Sequence, residues 1–442
     1  MSTYRETIEF LYSQTPQFQQ IGAAAYKPGL DTVTRLAEAF GDPHKGLRSI
    51  HVAGTNGKGS TAHSIAAVLQ SAGYRVGLFT SPHLLDFRER IKVDGEMIPE
   101  EEVTAFVDRF RELSSSAGRR GRSLEPSFFE LTTVMAFDWF ARRGVDYAVI
   151  EVGLGGRLDS TNIITPLLSV ITNISFDHTA QLGDTLPAIA SEKAGIIKPG
   201  VPCVVGESAG DVRAVFEEKA RMSGSQLLLA DDIRPAGNPL RREEAIEADT
   251  PFGRVEYGLT GYCQERNLQT IVTALVELRR LGVEIPDGAV SAGLRDVVSL
   301  TGLSGRWMRV GDNPAVVCDT GHNEGGWRYL SRQLDAHRGP LVVVLGFVND
   351  KDISHILPMV PSRAEIIYTR ASVPRALPEK ELAALGLEAG RQGVTAPTVM
   401  AAIEEARRKA RELARDCGPE ESPLIFVGGS TFVVADLLAI NH

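Results

Sequence analysis

A chain of 442 residues is too long for one ordinary core, so at least two domains are expected. With 43% apolar and 23% charged residues, its composition excludes disordered and fibrous classes and suits a globular enzyme. The net charge of −9, with no basic tract against it, disfavours a nucleic-acid partner, and no apolar run reaches membrane-spanning length.

In chain order, residues 47–53 (LRSIHVA) predict a strand, followed by a glycine-rich loop and a helix over 59–72. Residues 74–79 read as a strand, 100–116 as a charged surface helix, and 131–143 as a buried helix before a strand at 146–151 (DYAVIE). Strands follow at 168–172 and 201–205, around a helix at 184–193. The stretch 225–257 mixes short strands and charges and takes no regular place. Helices resume at 265–281 and 287–298, and the glycine-punctuated SLTGLSGR at 299–306 marks a boundary between domains 1–299 and 300–442. Beyond it a second alternation runs through strands 315–319, 341–345, 365–368 and 424–427, with helices at 326–336 and 399–415 and a short one at the end. Alternating strands and helices of this kind predict an α/β protein. The first domain reads as a P-loop ATPase domain with a parallel central sheet, and the second as a smaller Rossmann-like α/β domain. A large active site is expected between them.

Residues 1–20 lack the basic start and apolar centre of a signal peptide. Cys203, Cys263, Cys318 and Cys417 form no CxxC pair. A reducing, cytoplasmic compartment with free thiols is therefore expected.

The segment 51–61, HVAGTNGKGST, lies between an expected strand and an expected helix. Its glycines let successive N–H groups turn toward one anion, and the helix N-terminus adds the positive end of its dipole. Gly54, Thr55, Asn56, Gly57, Lys58, Gly59, Ser60 and Thr61 form the expected nucleotide-binding set, with Lys58 on terminal phosphates and a Ser60 or Thr61 hydroxyl on phosphate or Mg²⁺. The loop departs from GxxxxGK[ST]: Val52 stands where the first glycine belongs, and Gly59 separates Lys58 from Ser60.

Glu151 closes its strand at the carboxyl edge of the sheet, where ligands bind in open α/β folds, and His178 follows the next strand. From spacing alone His178 reads as a capping or core histidine, and Lys193, late in a helix, as a solvated surface lysine. Arg88 and Arg90 either lie exposed or meet substrate carboxylates. Phe128 and Phe129, expected just before a helix, are either core or a stacking platform. Arg157 and Asp159 follow a double glycine that lets a flat ring approach the backbone.

The phosphate-loop departure is informative, because GTNGKGS resembles the Mur ligase superfamily. SPHL at 81–84, ERI at 89–91, EVGLGGRLDSTN at 151–162, ITNISFDH at 171–178 and SEKAGI at 191–196 are similar to its folate branch, the folylpolyglutamate and dihydrofolate synthases. GRW at 305–307, DTGHN at 319–323 and NDKDI at 349–353 extend the resemblance through the second half. It implies ATP-dependent addition of L-glutamate to a folate, and to dihydropteroate as well, through an acyl phosphate, with ATP and Mg²⁺ required. It also implies Ser81, Glu151 and His178 on Mg²⁺, a carbamylated Lys193, and Asn267 on the adenine. Arg306 is implied on the phosphates, Asp319 near ribose or adenine, His322 by the γ-phosphate, Lys351 near the glutamate, and Arg88 and Asp159 beside the folate. The family more often carries DGAHNP where this chain has Thr320, Gly321 and Glu324. A monomer acting on small molecules alone is expected. A UDP-sugar ligase of the same superfamily and a nucleotide-dependent switch are the rival readings.

Overall fold

The computed structural model describes residues 2–14, 29–118, 124–349, 351–416 and 421–441. They fall into two compact units, Met1–Gly258 with Gln264–Leu303, and Leu259–Cys263 with Ser304–His442. The expected break at 299/300 falls within a helix, Val297–Thr301, because the glycine signal at 299–306 acts at Gly302, whose positive φ ends that helix.

The first unit is built on an eight-stranded sheet of order β4-β3-β2-β5-β1-β6-β7-β8. Its strands are β1 (Ser49–Ala53), β2 (Val76–Phe79), β3 (Ile91–Val93), β4 (Glu96–Met97), β5 (Tyr147–Glu151), β6 (Leu168–Ile171), β7 (Cys203–Val205) and β8 (Leu227–Leu229). From β2 across to β8 every pairing is parallel, while β3 and β4 add an antiparallel edge. Strands β1, β2, β5, β6 and β7 are buried at every position, as a parallel sheet covered on both faces requires. Ser49, His51, Glu151 and Ser169 are polar residues inside that apolar run.

The stretch left unplaced by pattern forms an antiparallel sheet of β9 (Gly237–Arg241), β10 (Ile246–Thr250) and β11 (Gly253–Tyr257). Ile246, Ala248, Val255 and Tyr257 bury one face of it and leave the other charged. The helix expected at 287–298 is two, Asp287–Arg295 and Val297–Thr301, meeting at Asp296.

Phe128 and Phe129 open the buried helix Phe128–Arg143 rather than precede it. Ser127 accepts from the Glu130 N–H while the Glu130 carboxylate accepts from the Ser127 N–H at 2.7 Å, a capping box worth about 1 kcal/mol.

The second unit carries β12 (Met308–Asp312), β13 (Ala315–Asp319), β14 (Leu341–Leu345), β15 (Glu365–Tyr368), β16 (Gly393–Thr395) and β17 (Leu424–Gly428). Their order is β12-β13-β17-β14-β15-β16, parallel apart from β12, which turns back along β13. Both units are α/β as expected, the first on a parallel central sheet, with antiparallel edges added by β3–β4 and by β12. Among the described residues no helix is long and apolar enough to cross a membrane.

Candidate active site

The phosphate loop leaves β1 at the carboxyl edge of the first sheet and enters the helix Lys58–Ser71, with Gly57 as its N-cap at φ 83°. Neighbouring strands brace it. The Thr55 N–H donates to the Asn173 carbonyl at 2.9 Å, the Asn56 N–H to Asn173 Oδ1 at 3.0 Å, and Asn56 Nδ2 to Ser175 Oγ at 3.1 Å. Thr172 Oγ1 reaches the Asn56 carbonyl. A Cβ on Gly54 would lie 1.8 Å from Thr172 Oγ1, and one on Gly57 2.3 Å from Asn267 Oδ1. Both glycines are therefore required by φ and by space together.

Lys58 Nζ folds back on the Thr55 carbonyl at 3.1 Å. Gln264 Nε2 donates to Ser60 Oγ at 3.2 Å and Asn267 Nδ2 to Gln264 Oε1 at 2.8 Å, so the adenine candidate Asn267 lies against the phosphate loop. Thr61 Oγ1 is buried without a protein partner. Thr172, Asn173, Ser175 and Gln264 escaped the sequence reading, although asparagine and serine just after a strand are a loop-bracing signal.

Lys193 is not a surface lysine. It is 4% exposed, and its Nζ donates to the Gly54 carbonyl at 3.0 Å. The helix Leu186–Ala194 turns Lys193 inward and Glu192 outward, where Glu192 pairs with Arg157 at 2.8 Å. Burial, and then the charge of Lys58, pull the Lys193 amine from 10.5 down to about 7. A lysine so placed carries a large share of neutral, nucleophilic amine at neutral pH.

Ser81 and Glu151 are brought together by the adjacent strands β2 and β5, the Ser81 N–H donating to Glu151 Oε2 at 3.3 Å. His178 caps the short helix Thr179–Leu182 at φ 51°, with its Nε2 3.7 Å from Asp177 Oδ1. Among the described residues no three of His, Cys, Asp and Glu gather as a ready cation cage. The Ser81 hydroxyl and the Glu151 carboxylate fit Mg²⁺, an ion that draws its other oxygens from phosphate and water, whereas the His178 imidazole, a nitrogen donor, is the unusual member of the set.

Asp159, expected beside the folate, is 4% exposed and accepts from the Leu154 N–H at 2.9 Å, the Thr161 N–H at 3.0 Å and the Thr161 hydroxyl. Burial raises its carboxyl, opposed by those donors. The loop it closes is clamped to the Lys193 helix: the Arg157 N–H donates to the Glu192 carbonyl at 2.8 Å and Asn162 Nδ2 to the Gly195 carbonyl at 3.1 Å.

Arg88 is held by Asp86 at 2.7 Å and Glu100 at 3.6 Å. Arg90, against the exposed reading, is 3% exposed, donates to His83 Nδ1 at 2.7 Å and lies 5.2 Å from the Phe128 ring centre. Burial pulls its pKa down to about 10. Phe128 belongs to the core, and the Phe129 ring packs on Gly153.

In the second unit, Arg306 donates to the Thr320 hydroxyl, which itself reaches the Gly305 carbonyl at 3.3 Å. Asp319 ends β13 and accepts the Trp307 and Gly321 N–H groups, each at 2.8 Å. His322 Nδ1 donates to the Thr320 carbonyl at 3.0 Å. Asn323 caps the helix Glu324–Ala336, accepting the Gly326 N–H at 2.9 Å. Within NDKDI, Asp350 lies outside the described residues.

Residues 52–207 match the Mur ligase middle domain and residues 305–417 the Mur ligase glutamate ligase domain. A folylpolyglutamate synthase of Lacticaseibacillus casei is 35% identical over 391 residues, covering 86% of this chain and 89% of that one. A dihydrofolate synthase/folylpolyglutamate synthase of Bacillus subtilis is 35% identical over 371 residues, 80% of this chain and 84% of its own. A probable bifunctional folylpolyglutamate synthase/dihydropteroate synthase of Haloferax volcanii is 35% identical across 98% of this chain, which spans 50% of that longer protein. The structure of Mycobacterium tuberculosis folylpolyglutamate synthase complexed with ADP superposes with a TM-score of 0.86 at 29% identity, covering 99% of this chain and 97% of that one.

Proposed function

We propose a function from the premise that the chain belongs to the folylpolyglutamate synthase/dihydrofolate synthase family of the Mur ligase superfamily: it is an ATP-dependent ligase that joins L-glutamate to a folate. The observation that carries this reading is the convergence on one sheet edge of the braced phosphate loop, the buried Lys193 at its Gly54 carbonyl, and the Ser81–Glu151 pair.

A carboxylate acylates poorly because its oxide leaving group is too basic. Transfer of the γ-phosphoryl group to it yields an acyl phosphate, whose leaving group is phosphate. The α-amine of glutamate then attacks the carbonyl carbon, loses a proton, and phosphate departs as the amide forms. Gly54, Thr55, Asn56, Gly57, Lys58, Gly59, Ser60 and Thr61 hold the phosphates, with Lys58 turning from the Thr55 carbonyl to the transferred group. Ser81, Glu151 and His178 would hold Mg²⁺, which when bound neutralises charge among the phosphate oxygens.

Lys193 reacts through its neutral amine. Nζ bonds to the carbon of CO₂ and gives up a proton to solvent, so that a buried neutral amine becomes a carbamate anion. Asn267 and Asp319 serve the nucleoside, Arg306 and His322 the phosphates, Lys351 the glutamate, and Arg88 and Asp159 border the folate. Dihydropteroate is a second acceptor, its carboxylate undergoing the same chemistry. The protein acts in the cytoplasm, a reading supported by the free thiols of Cys203, Cys263 and Cys318, and as a monomer, which sedimentation checks.

The test is phosphate release from ATP with glutamate present, supplying dihydropteroate in one tube and tetrahydrofolate in another. Release in both is expected, and release in one assigns a single activity. Silence in both, from folded and ATP-binding protein, would overturn the folate reading in favour of a UDP-sugar acceptor.

A further inference from the structure

His51 is an unusual residue for the centre of a parallel strand. It sits in β1 between Ile150 of β5 and Ser169 of β6, and it is 0% exposed. Its Nε2 lies 2.8 Å from Thr161 Oγ1, and its Nδ1 is buried without a protein partner. A buried imidazole with one nitrogen unsatisfied is costly, and an apolar residue would pack there more cheaply.

The partner explains the choice. Thr161 is itself 0% exposed and stands in the short 3-10 turn Ser160–Ile163 that Asp159 caps. Its hydroxyl has one proton, and Asp159 Oδ1, an acceptor when ionised, takes it. The hydroxyl lone pair facing His51 must then accept, which makes His51 the Nε2–H tautomer and leaves only a lone pair stranded at Nδ1. Burial keeps the ring neutral, pulling its pKa down to about 3, with Lys198 the charged group acting on it. Asp159 in turn spans the loop, its Oδ2 taking the Leu154 N–H and its Oδ1 the Thr161 N–H.

We propose that His51 is a positioning residue for the folate-side loop: its Nε2–H commits the Thr161 hydroxyl to Asp159, and the carboxylate so fixed shapes residues 153–159. The inference rests on the reading that this loop borders the folate. His51 therefore acts through two other residues and touches no substrate. It links β1, which leads into the phosphate loop, to the loop on the acceptor side.

Kinetics on the full-length enzyme decide it. His51→Leu is expected to raise the folate KM about tenfold, with kcat and the ADP dissociation constant each within about threefold of wild type. His51→Gln, whose amide N–H can reach the same hydroxyl, should restore the folate KM to within about threefold. Thr161→Val should match His51→Leu, and the double variant should be no worse than Thr161→Val alone, because both break one relay. Equal losses for folate and nucleotide, no rescue by His51→Gln, or additive losses would each overturn the proposal.

A second measurement stands apart from the folate reading. ¹⁵N NMR of histidine-labelled, ligand-free protein, with the His51 signal identified by its absence in His51→Gln, should report the Nε2–H tautomer. An Nδ1–H tautomer overturns the relay. If wild type shows no folate-dependent turnover while the Nε2–H tautomer is found, the folate reading fails and the relay stands.

Discussion

Two glycine-rich loops leave the same edge of the first sheet, and they keep their shapes by different means. The phosphate loop after β1 is braced from outside by Thr172, Asn173 and Ser175 after β6 and by Lys193. The loop 153–159 after β5 is closed from inside by its own Asp159 and then clamped as a unit against the helix of Lys193. An externally braced loop gives way when a neighbour is displaced. A self-closed loop gives way only when its internal carboxylate or its seat is lost. Lys193 belongs to both, since its side chain holds one loop and its helix seats the other.

The largest effect should come from steric intrusion into the braced loop. Gly54→Ala puts a methyl group 1.8 Å from Thr172 Oγ1 at φ 142°, and an alanine at such a φ adds strain of about 1–3 kcal/mol. ADP affinity by calorimetry should fall at least a hundredfold, about 2.7 kcal/mol. Gly156→Ala is the mirror experiment. Its Cβ would stand 2.9 Å from the Glu192 carbonyl and 3.0 Å from that of Lys193, so the seat of the loop 153–159 is disturbed. The folate KM should rise about tenfold with ADP affinity within threefold. Similar ADP losses in both variants would dissolve the distinction between the loops.

Lys193→Met comes next, because it keeps the packing while removing the amine. Turnover should fall about a hundredfold, about 2.7 kcal/mol. With ¹³C-labelled bicarbonate, the wild-type carbamate signal should rise through about pH 7, where the buried amine loses its proton, rather than near the ordinary lysine value of 10.5. The sign for stability is the same. Between about pH 7 and 10.5 the unfolded chain holds the extra proton, so wild-type stability rises with pH and Lys193→Met flattens that rise. A carbamate signal that rises only near pH 10, or a stability slope that Lys193→Met leaves unchanged, would refute the buried-amine account.

Thr320→Gly should act more gently. It restores the glycine more usual for the family and removes the hydroxyl that receives Arg306. A rise of about threefold in the ATP KM, with the folate KM unchanged, would mark Thr320 as an orienting partner for Arg306. No change would show that Arg306 finds its geometry unaided.

Much of this was legible beforehand, for reasons specific to each residue. β1, β13, β14 and β15 announce themselves as short apolar runs beside turn residues, and the phosphate loop is a contiguous word whose glycines answer to local backbone needs. Lys193 is different. A helix exposes some lysines and buries others according to what packs on it, and the contact that buries this one is with Gly54, far off in sequence. Arg90 went astray likewise, because the ring of Phe128 and the imidazole of His83 that cover it lie on other segments. The sheet β9–β11 was hidden by charge, since one face is solvated and its strands carry Arg241, Glu247, Asp249 and Arg254.

The smallest effect expected is that of Arg157→Ala, and its smallness is the sharpest check on the self-closed loop. The Arg157 side chain is 56% exposed, and an ion pair so open to water contributes only a few tenths of a kcal/mol. The clamp does not depend on it, because the Arg157 backbone N–H still donates to the Glu192 carbonyl and Asn162 still spans to the Gly195 and Arg157 carbonyls. Thermal unfolding should shift by about 1 °C and the folate KM by less than twofold. Asn162→Ala removes two of those spanning bonds at a site 4% exposed and should cost several times more in both measurements. If Arg157→Ala instead proved the more damaging, the loop would be held from outside by charge, as the phosphate loop is held by its neighbours.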